Sequence, residues 1–337
     1  MIHDFGITKG ALVLDDKSFL VTGGTGSFGK TFVKKLLNLK VAEIVILSRD
    51  ETKQHYMKQE FSDTRIRYIL GDIRNYETVL KATRNIDFIF HAAALKQVPT
   101  SESFPWEFVQ TNVKGSHNIL EALQYSHVKK AVFLSTDKAV YPLNAMGMTK
   151  ALMEKLVRSG SYSSSTINII TRYGNVIGSR GSVIPHFIES IKKSKSVGVT
   201  HPEMTRFMMS LDESVDLVLH ALQHGESGDL FVRKSPAASV ATIIEALCLI
   251  LGEQKIQIEN IGVRAGEKMH ETLLTAEERY VTKESENFFQ VPMIKNNQIN
   301  SSKYGIEFTS YNTKQLNAQE LAGILLDIPL ITKSIKL

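Results

Sequence analysis

Three side chains able to do acid–base chemistry stand together at Thr136, Asp137 and Lys138, directly after the apolar run at 131–134. A carboxyl group next to an amine can donate and accept protons in turn. Burial or neighbouring positive charge would lower the pKa of Lys138 and make it a base at neutral pH. The alternative is that Lys138 only pairs with Asp137 or with a phosphate. Lys150 follows at a helix start, with Met146 four residues earlier on the same helix face.

A second chemical signal is the glycine-rich segment at 23–29, which follows one apolar run and opens a helical pattern. Gly23, Gly26 and Gly29 have a spacing that lets the backbone turn tightly and approach a pyrophosphate at a helix N-terminus. The strand before the glycines and the helix after them favour dinucleotide binding over a simple glycine-rich turn.

The next apolar run ends at Ser48 and Arg49, where the choice between the two nicotinamide dinucleotides is made. A hydroxyl and a guanidinium suit a 2′-phosphate, which favours NADP over NAD. Alternatively, Arg49 pairs with Asp50 or Glu51 at the surface.

The ends of two further apolar runs carry candidate cofactor contacts. Asp72 could bond the adenine amino group with Ile73 against the ring, or it could cap the following helix. The small residues 92–94 would let a cofactor lie against the backbone, and Lys96 could reach a phosphate or the substrate.

These residues must be positioned by a sheet. Continuous apolar runs at 19–21, 44–47, 66–70, 88–90, 131–134 and 167–170 alternate with helical patterns such as 28–37 and 113–123. This rhythm predicts an α/β Rossmann fold, a doubly wound parallel sheet. The pattern loosens after Arg172, which predicts a Rossmann domain over 1–172 and a smaller mixed lobe over 173–337, with an interleaved boundary. The lobe has helical patterns at 210–224 and 240–251 and a weakly patterned stretch at 275–312.

Composition excludes several classes of protein. The 337 residues carry 40 Lys+Arg and 35 Asp+Glu, a mild net charge of +5, without a basic stripe that would indicate nucleic-acid binding. The single Cys248 allows neither an internal disulfide nor a cysteine-rich metal site, and we expect no metal. No apolar run is long enough for a membrane span and no secretory signal is visible, so we expect a cytoplasmic protein.

Taken together, the motifs resemble the extended short-chain dehydrogenase/reductase superfamily, and within it the inverting UDP-N-acetylglucosamine 4,6-dehydratases of capsule and O-antigen synthesis. The resemblance runs from Ser18 to about Leu325 and leaves residues 1–17 without a role. Its motifs are GGTGSFG (23–29), SRDETKQ (48–54), HAAALKQVP (91–99), STDKAVYPLNAMG (135–147), TRYGNV (171–176), RGSVIP (180–185), MTRFMMS (204–210) and RAGEK (264–268).

The resemblance implies roles for individual residues. Lys138 would be the C5 base, Asp137 the acid for the leaving 6-hydroxyl, and Thr136 a contact to the sugar. The implied cofactor contacts are Gly23, Thr25, Gly26, Ser27, Phe28, Gly29, Ser48, Arg49, Asp50, Lys53, Asp72, Ile73, Ala92, Ala93, Ala94, Lys96, Thr111, Lys150 and Tyr173. The implied nucleotide-sugar contacts are Lys96, Asn175 (placed at the end of the sixth strand), Arg180, Ser182, Arg206, Arg264 and Glu267.

One position departs from the superfamily pattern. Its usual catalytic pair is a Tyr and a Lys four residues apart, and here Met146 stands at the Tyr place before Lys150. A thioether cannot accept a proton. The dehydratase/5-epimerase subgroup that this sequence resembles also has Met there. Tyr141 is too early in the chain to replace it.

The implied reaction is NADP-dependent conversion of UDP-N-acetylglucosamine to a 2-acetamido-2,6-dideoxy-4-hexulose with inversion at C5. The alternative enzyme is a UDP-hexose 4-epimerase, which shares the C4 oxidation but needs no acid for the 6-hydroxyl. The alternative outside enzymology is a non-catalytic NADP-binding protein, which Met146 would suit. The resemblance also implies a homo-oligomer, such as a hexamer, with an arm near 277–312 that is otherwise a surface loop.

Overall fold

The structure, a computed structural model, describes residues 14–161, 164–179, 182–194, 196–253, 256–294 and 305–336. Its strands are β1 (Ser18–Thr22), β2 (Glu43–Ser48), β3 (Ile66–Leu70), β4 (Phe88–His91), β5 (Lys130–Leu134), β6 (Ile167–Arg172), β7 (Asn175–Val176), β8 (Ser196–Val199), β9 (Thr205–Met209), β10 (Leu230–Arg233), β11 (Ala237–Ser239), β12 (Gln257–Asn260), β13 (Thr272–Leu274), β14 (Lys283–Glu284), β15 (Phe288–Val291) and β16 (Phe308–Thr309).

The helices are α1 (Ser27–Leu37), α2 (Glu51–Glu60), α3 (Tyr76–Ala82), α4 (Val98–Ser103), α5 (Pro105–Phe108), α6 (Gly115–Leu123), α7 (Ala145–Gly160), α8 (Val183–Ser194), α9 (Leu211–His224), α10 (Val240–Leu251), α11 (Ala276–Val281), α12 (Ala318–Leu326) and α13 (Pro329–Lys336). A π-helical segment, Val109–Lys114, runs directly into α6, and a single 3₁₀ turn spans Asp137–Ala139.

The large sheet has the strand order β14–β15–β10–β6–β5–β4–β1–β2–β3. The six predicted strands are all present as β1 to β6, and they pair in parallel with the order reversing beside β1. This arrangement confirms the predicted doubly wound Rossmann fold. The sequence pattern missed the seventh parallel strand, β10, and the antiparallel pair β15 and β14 beyond it.

Apolar cores cover both faces of this sheet, which is why its central strands are continuous apolar runs. One core includes Leu20, Ile89 and Phe133, and the other includes Phe19, Val21 and Phe32 of α1. Helix α9 packs on the second core although it lies in the later half of the sequence. Residues 211–233 thus return to the large sheet after β7–β9.

The remaining described residues form a smaller mixed lobe around a third core. Helices α8, α10 and α12 bury Ile188, Leu247 and Leu321 there. Short sheets, of order β11–β9–β7, β12–β8 and β13–β16, accompany the large sheet. The described parts of the stretch at 275–312 supply α11, β14, β15 and β16, which its sequence pattern did not indicate. Residues 295–304, in the middle of the predicted arm, lie outside the described residues, as do residues 1–13 of the N-terminal extension.

Within the described ranges, none of the helices combines the length and apolarity that crossing a membrane requires.

Candidate active site

The glycine-rich loop between β1 and α1 has the geometry of a pyrophosphate cradle. Gly23 has φ +67°, a region open to glycine, and a Cβ there would lie 2.8 Å from the Ala93 backbone. A Cβ on Gly29 would lie 2.6 Å from the carbonyl oxygen of Gly23. Gly26 caps α1, so no side chain covers the start of the helix. The cradle fits a dinucleotide because backbone N–H groups at a helix start attract phosphate.

The end of β2 lies beside this cradle. The Ser48 hydroxyl is 2.9 Å from the Thr25 hydroxyl and is buried. The Arg49 guanidinium lies 3.7 Å from the carboxylate of Asp72 and is half exposed, so it pairs with the next strand end and not with its chain neighbours. Asp50 instead caps α2 by accepting the backbone N–H of Lys53.

The alternative that Asp72 caps the following helix is wrong. Asn75 caps α3, accepting the backbone N–H of Thr78 at 2.8 Å. Asp72 instead accepts the backbone N–H and the guanidinium of Arg74, both at 2.9 Å. Burial raises the pKa of Asp72, but Arg74 and Arg49 outweigh burial and hold this pKa below its usual range. The carboxylate therefore remains ionised beside the cavity.

The end of β4 forms another wall of the site. His91 is buried, with Nδ1 2.7 Å from the Thr22 hydroxyl and Nε2 3.0 Å from that of Ser116. Burial lowers the pKa of His91 to about 3, so the ring is a neutral structural element. The Thr111 hydroxyl, in the π-helical segment, is buried with no hydrogen-bond partner among the described residues, and it lines the cavity.

The turn after β5 holds the acid–base candidates. Asp137 is fully buried, and its Oδ1 accepts the Thr136 hydroxyl at 2.8 Å and the Lys138 ammonium at 3.1 Å. Its other oxygen has no hydrogen-bond partner within the described part of the chain. Burial, joined by the charge of Glu271, raises the pKa of Asp137 against the pull of Lys138. A carboxyl group held in this way keeps its proton to a higher pH than an exposed carboxyl group does.

Lys138 itself lies between two carboxylates, which corrects the expectation of a lowered pKa. Its Nζ is 3.1 Å from Asp137 and 3.2 Å from Oε1 of Glu271. Burial disfavours the ammonium, but Asp137 and Glu271 outweigh burial and raise the pKa of Lys138 above its usual range. Lys138 is therefore protonated in the free site.

Helix α7 carries the Met146 and Lys150 pair. Asn144 caps this helix by accepting the backbone N–H of Gly147 at 2.8 Å. Met146 and Lys150 are both buried and line the cavity. Burial lowers the pKa of Lys150 to about 8, and its Nζ donates to the carbonyl oxygen of Leu134 at 2.6 Å. Tyr141 is exposed, donates to Glu307 at 2.7 Å and does not line the cavity.

The nucleotide-sugar candidates come from the smaller lobe. Asn175 does not close the sixth strand as predicted, because β6 ends at Arg172 and Asn175 begins β7 in a different sheet. Arg206 donates to two backbone carbonyls and lies 3.9 Å from the Glu271 carboxylate. Arg264 is exposed and lies 3.9 Å from Glu267. Arg180 lies outside the described residues.

One cavity of about 1020 Å³ joins all these parts. It is lined by all of the predicted cofactor contacts and, among the other candidates, by Thr136, Lys138, Met146, Asn175, Ser182, Arg206, Arg264 and Glu267. Asp137 lies behind the lining, in contact with both Thr136 and Lys138. The cavity therefore runs from the glycine cradle past the acid–base turn to the arginines of the lobe.

Sequence reasoning missed two charged residues of this cavity, Lys268 and Glu271. Glu271 is only 3% exposed and lies immediately before β13. Lys268 donates to the carbonyl oxygen of Val140, and burial lowers its pKa. Lys268 is the last residue of the RAGEK motif and Glu271 lies three residues after it, but no pattern in the sequence indicated that this loop folds back onto the β5 turn.

Comparison with known proteins places this geometry in a class. A protein of Rickettsia akari named UDP-glucose 4-epimerase is 45% identical over 95% of this chain and 98% of its own length. The solved structure of Pen from Bacillus thuringiensis is 37% identical, with a TM-score of 0.87 over 95% of this chain and all of that one. A dTDP-glucose 4,6-dehydratase from Streptomyces venezuelae, solved with NAD, shares the fold at 22% identity, with a TM-score of 0.69 over 75% of this chain and 86% of that one.

The fold, the cavity and these relatives define a nucleotide-sugar-modifying enzyme of the extended short-chain dehydrogenase/reductase type, in the epimerase/dehydratase class. The model of the family described as polysaccharide biosynthesis protein matches residues 19–293, and the chain belongs to that family. The alternative of a non-catalytic dinucleotide-binding protein loses its support. The names of the curated relatives support a 4-epimerase more than a 4,6-dehydratase.

Proposed function

We propose that this enzyme catalyses NADP-dependent 4,6-dehydration of UDP-N-acetylglucosamine with inversion at C5. The observation that carries the proposal is the buried Asp137 carboxyl, whose pKa is raised, in contact with Lys138 at the cavity wall. Loss of the 6-hydroxyl as water needs a proton donor of this kind. A simple exchange of configuration at C4 does not.

The position of Met146 supports the same choice. The thioether cannot take the proton of a sugar hydroxyl, and it lies in the cavity four residues before Lys150. We therefore assign proton transfer to the turn after β5, where Thr136, Asp137 and Lys138 already contact one another.

The chain's own residues bind and orient the two reactants. Arg206 and Arg264 hold the diphosphate of the substrate through charge-assisted hydrogen bonds. The glycine cradle, Ser48 and Lys150 hold the dinucleotide, which when bound supplies reversible hydride transfer. Met146 and the residues around Ala93 exclude water from the reacting carbons.

Acid–base work then falls to the β5 turn. A sugar that carries a ketone at C4 has an acidic proton at C5, and Lys138 accepts that proton. The sugar thus releases two protons, from the 4-hydroxyl on oxidation and from C5, and it takes up two, one on the departing 6-hydroxyl and one at C5 from the opposite face. Asp137 gives its proton to the departing 6-hydroxyl, with the Thr136 hydroxyl bridging Asp137 and the cavity. Thr136 also fixes the sugar by hydrogen bonding. Lys150 remains a fixed donor to the nicotinamide ribose.

The second candidate is a UDP-hexose 4-epimerase, which the names of the Rickettsia relatives favour. Both reactions begin with oxidation at C4, so cofactor binding does not distinguish them. The product does, because the 4-epimer has the mass of the substrate and the dehydrated sugar lacks one water.

Incubation with UDP-N-acetylglucosamine, followed by mass spectrometry and NMR of the product, therefore tests the proposal. We expect loss of one water and an inverted C5. Lys138→Ala should abolish turnover while the dinucleotide remains bound, because the base is removed and the cradle is intact. A product of unchanged mass would establish the epimerase instead.

The preference for NADP is tested at Arg49. This guanidinium is half exposed beside Ser48 and is held by Asp72 at 3.7 Å, so it can turn to a 2′-phosphate. Arg49→Ala should weaken NADP binding about ten- to a hundredfold, because a charge-assisted hydrogen bond is worth about 1.5–3 kcal/mol. The affinity for NAD should change little. Titration of NADP and of NAD against the wild type and Arg49→Ala measures these affinities. An equal loss of affinity for the two dinucleotides would contradict the preference for NADP.

A further inference from the structure

Glu271 is the most enclosed charge in the cavity wall. It approaches the β5 turn from the loop before β13 and is 3% exposed. Its Oε1 lies 3.2 Å from Lys138 Nζ, while Arg206 and Lys268 each lie 3.9 Å from the same carboxylate. Its Oε2 has no hydrogen-bond partner in the described ranges. A carboxylate in this position must act on Lys138.

The proposed function requires a neutral Lys138, and the free site supplies a protonated one. The surplus proton needs an acceptor within hydrogen-bonding reach. Asp137 lies at 3.1 Å, but its own proton is reserved for the departing hydroxyl. Among the described residues, Glu271 is the other carboxylate within ion-pairing distance of Lys138.

We propose that Glu271 is the positioning residue that exchanges this proton with Lys138. An N–H bond of the Lys138 ammonium breaks as an O–H bond forms on Oε1 of Glu271, which leaves a neutral amine at the cavity wall. The reverse transfer restores the ion pair, so neither charge nor atoms are lost. This inference rests on the proposed function and adds to it a third member of the acid–base group.

The other charges around Glu271 determine when the transfer occurs. Burial disfavours ionised Glu271, but Lys138, Arg206 and Lys268 outweigh burial and hold its pKa below the usual range, while the pKa of Lys138 is raised. The ion pair is therefore the main state of the free site, and the neutral pair with the free amine is a minor state that bound substrate must favour. Arg206 is also a proposed diphosphate contact. A bound diphosphate offsets the charge of Arg206, so protonation of Glu271 becomes easier when the substrate is present. Substrate binding and the release of the base are thereby coupled.

The first test measures the proton directly, in the full-length protein without substrate. NMR of ¹³C-labelled lysine, with Lys138→Arg to assign the signal, gives the pKa of Lys138. Glu271→Gln should lower this pKa by about one pH unit or more, because the anion 3.2 Å from the ammonium is removed. The exposed Glu203→Gln is the matched control and should leave it unchanged. An unmoved pKa in Glu271→Gln would overturn the proposal.

The second test is the pH profile of kcat with UDP-N-acetylglucosamine. In the wild type the pair shares its proton internally, so kcat should be level around neutral pH. In Glu271→Gln the proton must leave to solvent, and kcat should climb about tenfold per pH unit until the pKa of Lys138 is passed. Glu271→Asp should restore part of the pH range over which kcat is constant.

A merely structural role would instead lower kcat by the same factor at every pH, which would overturn the proposal. A wild type that releases no water fails the proposed function, and the NMR measurement alone then decides whether Glu271 controls the proton of Lys138.

Discussion

At the scale of single residues, the surroundings of each titratable group in the site decide the direction of its pKa shift. Asp137 has a raised pKa and Glu271 a lowered one, although both are carboxyl groups in contact with the same Lys138. Opposed shifts of this kind separate a proton donor from a charged partner. Lys150, with a pKa lowered to about 8, is close to the point at which its charge would be lost.

The buried His91 leads to a prediction about how the stability of the fold changes in acid. Its pKa in the folded protein is about 3, below the ordinary 6.5, because the ring is buried and Lys150 is close by. Folded protein therefore binds fewer protons than unfolded protein between these values, and stability falls as the pH falls below 6.5. From pH 7 to pH 5 this residue alone should remove about 2 kcal/mol.

Urea denaturation at the two pH values measures this loss. His91→Gln should lose less stability between pH 7 and pH 5 than the wild type, even if it is less stable at both. The exposed His117→Gln is the control and should lose as much as the wild type. Equal losses in His91→Gln and the wild type would contradict the assignment.

Contacts between residues close in the chain could be predicted from the sequence, and contacts with distant residues could not. The contact of Asp137 with Lys138 follows from adjacency, and the glycine cradle follows from spacing. Glu271 and Lys268 reach the turn only through the path of the smaller lobe, which no local pattern encodes. The pKa of Lys138 was therefore predicted in the wrong direction, since its sign depends on Glu271.

At the scale of elements, a buried ion cluster joins two helices to the central sheet. Arg172, at the end of β6, donates to Glu154 of α7 at 2.5 Å and to Glu278 of α11 at 2.8 Å. Glu154 lies one turn after Lys150 on α7 and also accepts the Ser135 hydroxyl. The cluster therefore fixes the helix that carries Lys150.

Removing the cation from this cluster should be costly. Arg172→Met leaves two buried carboxylates without a counter-charge, and we expect a loss of about 3–5 kcal/mol in the free energy of unfolding. The triple variant Glu154→Gln/Arg172→Met/Glu278→Gln removes all three charges and should recover most of that loss. Urea denaturation compares the three proteins. A loss of less than about 1 kcal/mol in Arg172→Met would show that the cluster is not stabilising.

The elements themselves were predictable where a core imposes a pattern. Strands β1, β2, β4, β5 and β6 are largely buried and appear in the sequence as mainly apolar runs, whereas β3, at the edge of the sheet, is only partly buried. Helix α9 begins with a capping box at Ser210 and Glu213, which agrees with the helical pattern at 210–224. Strands β14 and β16 have only two residues each, too few to show a period.

At the scale of the whole molecule, the cavity is built from two halves with different charges. The sheet half offers backbone N–H groups and small residues to the dinucleotide. The lobe half offers Arg206, Arg264 and Lys268 to a diphosphate. Part of the net charge of +5 thus lines the lobe half of the cavity, where we propose that the diphosphate binds. Sequence alone predicted this division, but not that β10 and β15 of the later chain would complete the sheet.

The large sheet is completed late in the chain, and this affects how the protein is synthesised. Strand β10 pairs with β6 only after the ribosome has synthesised the intervening residues 173–229, which takes several seconds at ordinary translation rates. During that time the nascent chain exposes one edge of β6, with unpaired backbone groups that can join another strand. Efficient production of this enzyme therefore depends on the nascent sheet being shielded, by chaperones or by fast synthesis, until its seventh parallel strand arrives.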